Sequence, residues 1–335
     1  MMPNTLQNNR HITAMTAALK AAHPWLGAAM PNPTVGAAAF SADGQLLAAA
    51  AHQQAGEPHA EALVLAECRR QGLLGQVDTL AITLEPCNHQ GRTPACSALI
   101  IDSAVRRVVY GVSDPNPQAA GGASRLQAAG IAVVGGVAEQ ACLLQLAPFL
   151  YHQRTGLPWV TVKVARRQDG GMQPDQGAKT FTSPPSLLLA HRMRKKTGAI
   201  VTGSGTILAD NPLFTVRLLP DFPQARRHLV ILDRRHRVPA DYLTAAKDRG
   251  FAVVVADDFT QALTNLGQTG VLEVLVEAGS TLLASIQASG QWNLLVTITQ
   301  GLNGGADSVD CQLNSSHYLP FQPSSFRLND WLPQA

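Results

Sequence analysis

The sequence predicts an α/β protein built from two domains in tandem. At 335 residues, the chain is longer than one hydrophobic core usually organises. Short apolar runs typical of buried strands alternate with helical spacings of apolar residues, and this alternation occurs in both halves. A polar stretch at residues 151–158, which contains Gly156 and Pro158, separates the halves. We therefore predict domains over residues 1–152 and 153–335.

The first half has the pattern of a three-layer α/β domain. The Asp43-Gly44 turn lies between two extended runs and predicts a hairpin. Pro58 precedes an apolar stripe with helical spacing, which predicts a helix that begins there. In chain order, the predicted elements are a helix at 11–23, strands at 34–40 and 45–51, a helix at 59–70, a strand at 80–84, a helix at 94–103, a strand at 107–112, a helix at 123–129 and a strand at 131–134.

The second half repeats the alternation and predicts a second α/β domain. A helix is predicted at 185–196, and strands are predicted at 159–165, 199–202, 229–232, 252–255, 271–276 and 294–298. Gly279 marks a turn that enters a further helix. Its free N–H groups could cradle phosphates, although such a motif alone is more often an ordinary strand-to-helix turn. After Gly301 the sequence has little periodicity, and we predict irregular structure there.

Composition argues against several classes of partner. Charged residues make up 15% of the chain, aromatic residues 5%, and the formal net charge is only +3. This balance, without a basic tract, argues against a nucleic-acid partner, and no apolar run is long enough to span a membrane. Residues 1–10 are polar, and the five cysteines are unevenly spaced, so we predict a cytoplasmic protein with reduced thiols. A homo-oligomer is left open.

Four basic residues lie close together on the helix predicted at 185–196. They are Arg192, Arg194, Lys195 and Lys196. Such a group can hold a phosphate, and it can equally form the solvated face of a helix. Both interpretations stay open at this point.

A histidine, a glutamate and two cysteines form the pattern of a catalytic zinc site. His59 and Glu61 open the helix predicted at 59–70, and Cys87 follows 28 positions after His59, with Cys96 beyond it. One imidazole and two thiolates can hold zinc tetrahedrally and leave a fourth position for water. Zinc lowers the pKa of such a water to about 7, and a carboxylate that is not a ligand can carry its proton to a leaving amine. The pattern predicts a hydrolytic deaminase with Glu61 as general acid–base.

The cysteine spacing differs from the common zinc-deaminase signature of H-x-E with a later P-C-x-x-C. Eight residues separate Cys87 from Cys96 in this chain. In one alternative these residues are ordinary helix starts. In another, His89 is a fourth ligand of a structural zinc site in a non-enzymatic binding protein. Glu61 argues against the structural site, which has no use for a proton carrier. The remaining cysteines are predicted to be small core residues: Cys68, Cys142 and Cys311.

Through these motifs, the chain resembles the bifunctional deaminase/reductase family of riboflavin biosynthesis, from about residue 11 to about residue 300. The eight-residue cysteine spacer is specific to that family among zinc deaminases. Matching strings in the first half are Pro31-Asn32-Pro33-Thr34-Val35-Gly36, Gly56-Glu57-Pro58-His59-Ala60-Glu61, Thr83-Leu84-Glu85-Pro86-Cys87 and Asp114-Pro115-Asn116-Pro117. Matching strings in the second half are Thr155-Gly156-Leu157-Pro158-Trp159, Gly203-Ser204-Gly205-Thr206, Leu208-Ala209-Asp210-Asn211-Pro212 and Val276-Glu277-Ala278-Gly279.

For the first half, the resemblance implies a three-layer α/β/α, cytidine-deaminase-like domain that binds Zn²⁺. The implied reaction removes the 2-amino group from a phosphorylated diaminopyrimidine. Positions that match the family's substrate contacts are Asn32, His52, His89, Arg92, Asp114 and Asn116. Taken alone, His52 would as often be a surface residue at the end of a strand.

For the second half, the resemblance implies a dihydrofolate-reductase-like α/β domain that uses NADPH to reduce a ribosyl group to a ribityl chain. Matching substrate positions are Arg194, Arg217 and Glu277, and matching cofactor positions are Ala165, Phe181, Thr206, Asp210 and Gly279. The chain departs from the family pattern at Arg167, Lys179, Phe181 and Asn211. The sequence alone does not separate NADPH from NADH.

Two interpretations of the whole chain therefore remain. The leading one is an enzyme with two activities acting on a small phosphorylated pyrimidine. In the alternative, the chain is a deaminase whose second domain has lost catalysis and serves binding or oligomerisation. A saturable response to NADPH would distinguish them.

Overall fold

The structure, a computed structural model, describes residues 3–89, 95–174, 180–302 and 305–333. The chain divides into two compact units. Unit 1 combines Met1–Gln153 with Pro320–Trp331, and unit 2 combines Arg154–Leu319 with Leu332–Ala335. In the described part of the chain, no helix has the length and apolar character needed to cross a membrane.

Unit 1 alternates helices and strands much as predicted. In order, its elements are α1 (Pro3–Ala22), β1 (Gly36–Phe40), β2 (Leu46–Ala51), α2 (Ala60–Arg70), β3 (Thr79–Leu84), α3 (Cys96–Ile101), β4 (Arg107–Val112), α4 (Gly122–Ala128), β5 (Ala132–Val134) and α5 (Glu139–Thr155). The strands form one sheet in the order β2-β1-β3-β4-β5. The pairs β1–β2 and β1–β3 are antiparallel, whereas β3, β4 and β5 run parallel.

Alternate residues of β1 face two different layers of helices. Ala39 packs with Val64 of α2 and Ile100 of α3 on one face of the sheet. On the other face, Gly36 lies so close to α1 that an added Cβ would come within 2.0 Å of the Ala18 carbonyl oxygen. Only glycine fits at this contact. The result is the predicted three-layer α/β/α domain.

Unit 2 is built on a larger, mostly parallel sheet. In order, its elements are β6 (Trp159–Arg166), α6 (Pro184–Lys196), β7 (Ala199–Gly203), α7 (Ser204–Asp210), β8 (His228–Leu232), α8 (Ala240–Asp248), β9 (Ala252–Ala256), α9 (Phe259–Gln268), β10 (Glu273–Glu277), α10 (Ser280–Ser289), β11 (Leu294–Thr299) and β12 (Ser308–Leu313). The sheet order is β12-β11-β6-β10-β7-β8-β9, with β12 antiparallel to β11 and the other pairs parallel.

Helices cover both faces of this sheet. Val201 packs with Leu263 of α9 and Leu283 of α10 on one face, and Ile200 packs with Tyr242 of α8 on the other. Parallel strands end at the same edge of a sheet, and ligands of open α/β sheets bind beyond that edge. The residues that follow β7, β8 and β10 are therefore the ones that the fold offers to a ligand.

The prediction of irregular structure after Gly301 is wrong. Residues 308–313 form β12, which pairs along its whole length with β11. Val309, Cys311 and Leu313 alternate with polar residues, and this strand signal was missed because all six residues of the segment were taken as irregular. The residues of β12 are exposed or half-buried, and its backbone pairing with β11 defines the strand. Further on, a short helix α11 (Leu328–Trp331) carries one of three aromatic rings that pack together in unit 1: Phe321, Phe326 and Trp331.

Several helices lie where the sequence analysis predicted none. The polar stretch predicted at 151–158 begins inside a helix, because α5 continues to Thr155. The helices α7, α8 and α9 were also missed. Helix α7 is only 7 residues long and directly follows a strand, so its apolar residues make no readable period.

Candidate active sites

Three residues of zinc-binding type meet in unit 1. His59 directly precedes α2, Cys87 follows β3, and Cys96 is the first residue of α3. Their ligand atoms lie within 4.8 Å of one another, and no other group of this kind occurs among the described residues. Nδ1 of His59 lies 3.7 Å from Sγ of Cys87 and 3.4 Å from Sγ of Cys96. One imidazole and two thiols at this separation fit a catalytic zinc ion.

The two cysteine thiols differ in acidity. The backbone N–H of Cys96 points at Sγ of Cys87 across 3.4 Å, at the start of α3. Hydrogen bonds from Cys96 and then from His59 lower the pKa of Cys87. The hydrogen bond to Cys87, together with burial, raises the pKa of Cys96. One sulfur is thus already suited to the ionised form that metal binding requires.

Glu61 lies beside these ligands without being one of them. It occupies the first turn of α2, and only 3% of its surface is exposed. Burial raises its pKa, against the opposing charge of His59. A buried carboxyl group with a raised pKa can take up and return a proton closer to neutral pH than an ordinary glutamate can.

His52 is a buried residue, not a surface one. It follows β2, only 3% of it is exposed, and its ring centroid lies 5.1 Å from that of His59. Its Nδ1 lies 3.2 Å from the Pro58 carbonyl oxygen, and its Nε2 lies 3.3 Å from the Asn32 side-chain nitrogen. Burial lowers the pKa of His52. A neutral ring that donates to Pro58 and accepts from Asn32 satisfies both contacts.

Asp114 and Asn116 lie in a loop that is held by successive side-chain turns. The Asp114 carboxylate accepts the Asn116 N–H at 2.9 Å, and the Asn116 side chain accepts the Gln118 N–H at 3.1 Å. Such turns fix a loop without regular secondary structure. Both residues are half-buried, and burial raises the pKa of Asp114.

Glu85 anchors the same loop, and the sequence analysis did not single it out. Its carboxylate accepts N–H groups from Asp114 at 3.3 Å, Gly121 at 3.2 Å and Ala123 at 3.1 Å. Glu85 precedes Cys87 by two residues, so it joins this loop to the zinc-type ligands. The sequence signal that could have identified Glu85 is a charged residue directly after an apolar strand.

Two more residues of unit 1, His89 and Arg92, were predicted to contact the substrate. His89 is exposed and lies outside the group of three ligand atoms. Arg92 lies outside the described residues, as does Lys179 of the second half.

Unit 2 contains a cleft of about 1740 Å³ at the carboxyl edge of its sheet. All eight positions that the resemblance assigned to the reductase substrate and cofactor line this one cleft: Ala165, Phe181, Arg194, Thr206, Asp210, Arg217, Glu277 and Gly279. They come from four strands or helices and the loops between them. The sheet therefore brings together residues that are far apart in the sequence.

A buried ionic network crosses the floor of the cleft. The Glu277 carboxylate accepts two hydrogen bonds from Arg194, at 2.5 and 2.9 Å, and one from Lys163 at 3.1 Å. Glu277 is 7% exposed, and the two cations lower its pKa although burial opposes them. Lys163 was missed by the sequence analysis. A lysine between valines in a buried strand was the signal that could have identified it.

The ring of His191 holds the backbone of Arg217 through a hydrogen bond. Its Nδ1 accepts the Arg217 N–H at 3.0 Å, which requires that this nitrogen carries no proton. His191 is 2% exposed, and burial followed by the charges of Arg194 and Arg217 lowers its pKa to about 4. The ring is therefore a neutral acceptor near pH 7.

The four basic residues of α6 do not form one group, and neither sequence interpretation describes them. Arg192 donates to backbone oxygens of Leu332 and Pro333. Arg194 binds Glu277, Lys195 lies over the Phe222 ring, and Lys196 pairs with Glu273 while only 4% exposed. Helical geometry points consecutive side chains in different directions, so a cluster in the sequence separates in space.

The starts of α7 and α10 fit a phosphate-bearing cofactor. Gly203 and Gly279 precede these helices, and neither provides a side-chain cap, which leaves first-turn N–H groups for a ligand. A Cβ added at Gly279 would stand 3.4 Å from the Thr206 hydroxyl oxygen, in the space between the two helix starts.

Arg167, one of the departures from the family pattern, lines the cleft and pairs with Asp169 at 2.6 Å.

Comparison with known proteins assigns each half to a family domain. Residues 8–112 match the cytidine and deoxycytidylate deaminase zinc-binding region. Residues 158–307 match the RibD C-terminal domain.

Full-length relatives contain both halves. The riboflavin biosynthesis protein RibD of Mycobacterium tuberculosis is 35% identical over 295 residues, which cover 87% of this chain and 86% of that protein. The Escherichia coli protein of the same name is 33% identical and covers 92% and 93%. The crystal structure of a diaminohydroxyphosphoribosylaminopyrimidine deaminase/5-amino-6-(5-phosphoribosylamino)uracil reductase from Thermotoga maritima superimposes with a TM-score of 0.79 at 29% identity, over 90% and 89% of the two chains. Because the similarity extends through both domains and nearly the whole length, the chain belongs to the RibD family of riboflavin biosynthesis proteins.

Proposed function

We propose that this chain is a bifunctional enzyme of riboflavin biosynthesis, with a zinc-dependent deaminase in unit 1 and an NADPH-dependent reductase in unit 2. The substrate is 2,5-diamino-6-ribosylamino-4(3H)-pyrimidinone 5′-phosphate. Its 2-amino group is first replaced by oxygen, and its ribosyl group is then reduced to a ribityl chain. The observation that carries the proposal is the buried Glu61 beside three ligand atoms within 4.8 Å of one another.

In unit 1, His59, Cys87 and Cys96 would hold the metal, which when bound would polarise a water as nucleophile. The Glu61 carboxylate would accept the proton of the nucleophile and return it to the departing amine. The raised pKa of Glu61 supports this role, because the carboxylate must be protonated and deprotonated within each turnover. Following the family resemblance, we assign the substrate contacts to Asn32, His52, His89, Arg92, Asp114 and Asn116.

In unit 2, NADPH when bound supplies the hydride. Glu277, Arg194 and Arg217 contact the substrate, and the ion pairs of Glu277 keep its carboxylate charged and fixed in position. Lys163 belongs to the same ionic network, and we include it among the residues that contact the substrate. The cofactor side comprises Ala165, Phe181, Thr206, Asp210 and Gly279, next to the uncapped starts of α7 and α10.

The functional boundary is placed between residues 152 and 153. We also place the protein in the cytoplasm, where a reducing environment keeps the thiols of Cys87 and Cys96 available for metal. A small phosphorylated pyrimidine is the partner, and homo-oligomer formation is compatible with this assignment.

The alternative function, a deaminase with a degenerate second domain, has a specific feature in its favour. Phe181 and Arg167 depart from the family pattern, and both line the cleft. Against it, the ionic network of Glu277 is complete, and the starts of α7 and α10 have no side-chain caps. We therefore prefer the enzyme with two activities.

One coupled assay tests the proposal. Zinc content and ammonia release from the aminopyrimidine are measured first, and NADPH oxidation is then followed on the purified deaminated product. We expect about one zinc per chain, ammonia release and NADPH oxidation. Ammonia release without NADPH oxidation would refute the reductase half, and a metal-containing protein that releases no ammonia would refute the deaminase half.

A further inference from the structure

The loop between β4 and α4 carries two of the residues assigned to the deaminase substrate, Asp114 and Asn116. The hydrogen bonds within this loop, from the Asn116 N–H to Asp114 and from the Gln118 N–H to Asn116, fix its local shape. They do not fix where the loop lies relative to the zinc-type ligands. That position depends on contacts with the residues that follow β3, because Cys87 is one of them.

Glu85 makes such contacts at both ends of the loop. It directly follows β3, and only 9% of it is exposed. Its backbone N–H donates to the Val112 carbonyl oxygen at 2.8 Å, which continues the pairing of β3 with β4. On its carboxylate, Oε2 accepts the Asp114 N–H at 3.3 Å, and Oε1 accepts the N–H groups of Gly121 at 3.2 Å and Ala123 at 3.1 Å. One buried carboxylate therefore holds the two ends of the loop together.

The Glu85 carboxylate also acts as the N-terminal cap of α4. This helix begins at Gly122, and the residue before it, Gly121, has no side chain that could cap it. The first N–H groups of a helix have no partner within the helix, and a negative charge near them is favourable. Oε1 of Glu85 supplies both the acceptor and the charge. The start of α4 is therefore tied to the segment that carries Cys87.

Backbone contacts bring the loop against the same segment. A Cβ added at Gly122 would come within 1.8 Å of the Pro86 carbonyl oxygen, so only glycine fits at this contact. Two residues beyond Pro86, the Asn88 N–H donates to the Ala119 carbonyl oxygen at 2.8 Å. Cys87 lies between these two anchors. The loop and the segment that carries Cys87 are therefore fixed relative to each other.

We propose that Glu85 is a positioning residue of the deaminase, which holds Asp114 in place beside the metal site and so sets the affinity for the pyrimidine. Glu85 acts through the Asp114 N–H and contacts no reacting atom. Loss of this one hydrogen bond lets the loop shift against the cysteine ligands, and the substrate then binds more weakly. This inference rests on the proposed deaminase function, and it gives a role to a residue that was not among the predicted site residues.

A carboxylate is needed at this position because the loop presents N–H groups to both of its oxygens. A glutamine side chain has one acceptor oxygen and carries an NH₂ group in place of the other. In Glu85→Gln the remaining oxygen can still accept the N–H groups of Gly121 and Ala123, whereas the NH₂ group then faces the Asp114 N–H, and two donors cannot pair. The substitution therefore removes the contact with Asp114 and keeps the cap of α4. An anchor for α4 alone would not require the second oxygen.

Steady-state kinetics of ammonia release by the zinc-loaded full chain test the inference. In Glu85→Gln we expect the KM for the aminopyrimidine to rise about tenfold, because an N–H of the binding loop loses its charged acceptor. The kcat should stay within about twofold of the wild-type value, since the substrate and its transition state lose the same contact. Zinc content should equal that of the wild type. Glu139→Gln, at an exposed glutamate that begins α5 in the same unit, is the matched control and should keep the wild-type KM.

A double-mutant cycle separates positioning from a general effect on the fold. Asp114→Ala removes the side chain through which Glu85 acts, and it should raise the KM by itself. Adding Glu85→Gln to Asp114→Ala should then raise the KM by no more than about twofold further, because the two residues act as one pair. Effects of the two substitutions that multiply in the double variant would overturn the positioning role.

Two further results would overturn the inference while the deaminase assignment stands. One is an unchanged KM in Glu85→Gln. The other is loss of zinc or of the folded state in that variant, measured by metal analysis and thermal unfolding, which would show that Glu85 supports the fold and not the position of Asp114. A wild-type protein that binds zinc but releases no ammonia would reject the deaminase function together with the inference.

Discussion

The two candidate sites differ in how the chain gathers their residues. In unit 1, His59 and Cys96 are 37 positions apart, and the site uses the start of two helices and the end of one strand. In unit 2, the cleft draws on residues from Lys163 to Ile298, which the sheet aligns at one edge. A site made from short motifs depends on a few local contacts. A site spread over a sheet depends on the whole unit being folded, so the two should respond differently to substitution.

The largest effect is expected from Cys87→Ser. A serine hydroxyl is a poor zinc ligand beside a thiolate, so zinc content should fall to background and ammonia release should stop. NADPH binding by unit 2 should be unchanged, because the cleft shares no residue with the metal site. Metal analysis and calorimetry measure the two properties. Cys311→Ser, a half-exposed cysteine of unit 2, is the control and should keep zinc. Retention of zinc by Cys87→Ser would contradict the ligand assignment.

Glu61→Gln separates proton transfer from metal binding. Since glutamine cannot carry the proton, turnover of ammonia release should fall by roughly 10²-fold or more while zinc stays bound. Steady-state kinetics and metal content check this expectation. Glu67→Gln removes an exposed carboxylate from the same helix and should leave the rate near the wild-type value. A near-normal rate in Glu61→Gln would reject its role.

Glu277→Gln tests whether unit 2 depends on its ionic network. Loss of this charge leaves Arg194 and Lys163 without their buried partner, which should cost about 3–5 kcal/mol of unfolding free energy. NADPH oxidation should also be lost, whereas ammonia release should persist. Denaturant unfolding followed by the fluorescence of buried Trp159 measures the stability. Asp169→Asn removes an exposed ion pair and should leave the denaturation midpoint close to that of the wild type.

The pH dependence of the same variant has a defined sign. The cations around Glu277 lower its pKa below the ordinary value of 4.5, so the folded state binds fewer protons there than the unfolded state. The stabilisation from the network is therefore complete above pH 4.5 and is lost as the pH falls below it. The difference in stability between wild type and Glu277→Gln should shrink in acid. A constant difference would contradict the assigned ion pairs.

The smallest effect concerns His191. Its pKa of about 4 lies below the ordinary 6.5, so the neutral ring contributes stability that is present above 6.5 and is lost as the pH falls towards 4. Protonation of Nδ1 would also break the hydrogen bond from Arg217. Histidine ring signals in NMR titrations should show one residue titrating near pH 4, and His191→Gln should remove that signal. Titration of His191 near 6.5 would show that the ring is not a buried acceptor.

The sequence by itself determined the fold class and most strands of both sheets. Apolar periodicity and turn residues are local signals, so β4 was predicted over its exact range and β3 to within one residue. The sequence also predicted zinc-binding residue types at positions 59, 87 and 96. It could do so because these residues lie at helix starts and because a short spacer keeps the two cysteines close in the sequence. The chemical roles of these residues remain predictions that the variants above can test.

Tertiary structure alone decided the features that depend on distant pairing. Strand β12 takes its place at the edge of the sheet because β11 offers it backbone partners along its whole length. The basic residues of α6 separate because each meets a different partner at a different angle around the helix. Charge and side-chain type can be read from a sequence, whereas the direction in which a side chain points is set by the packing around it.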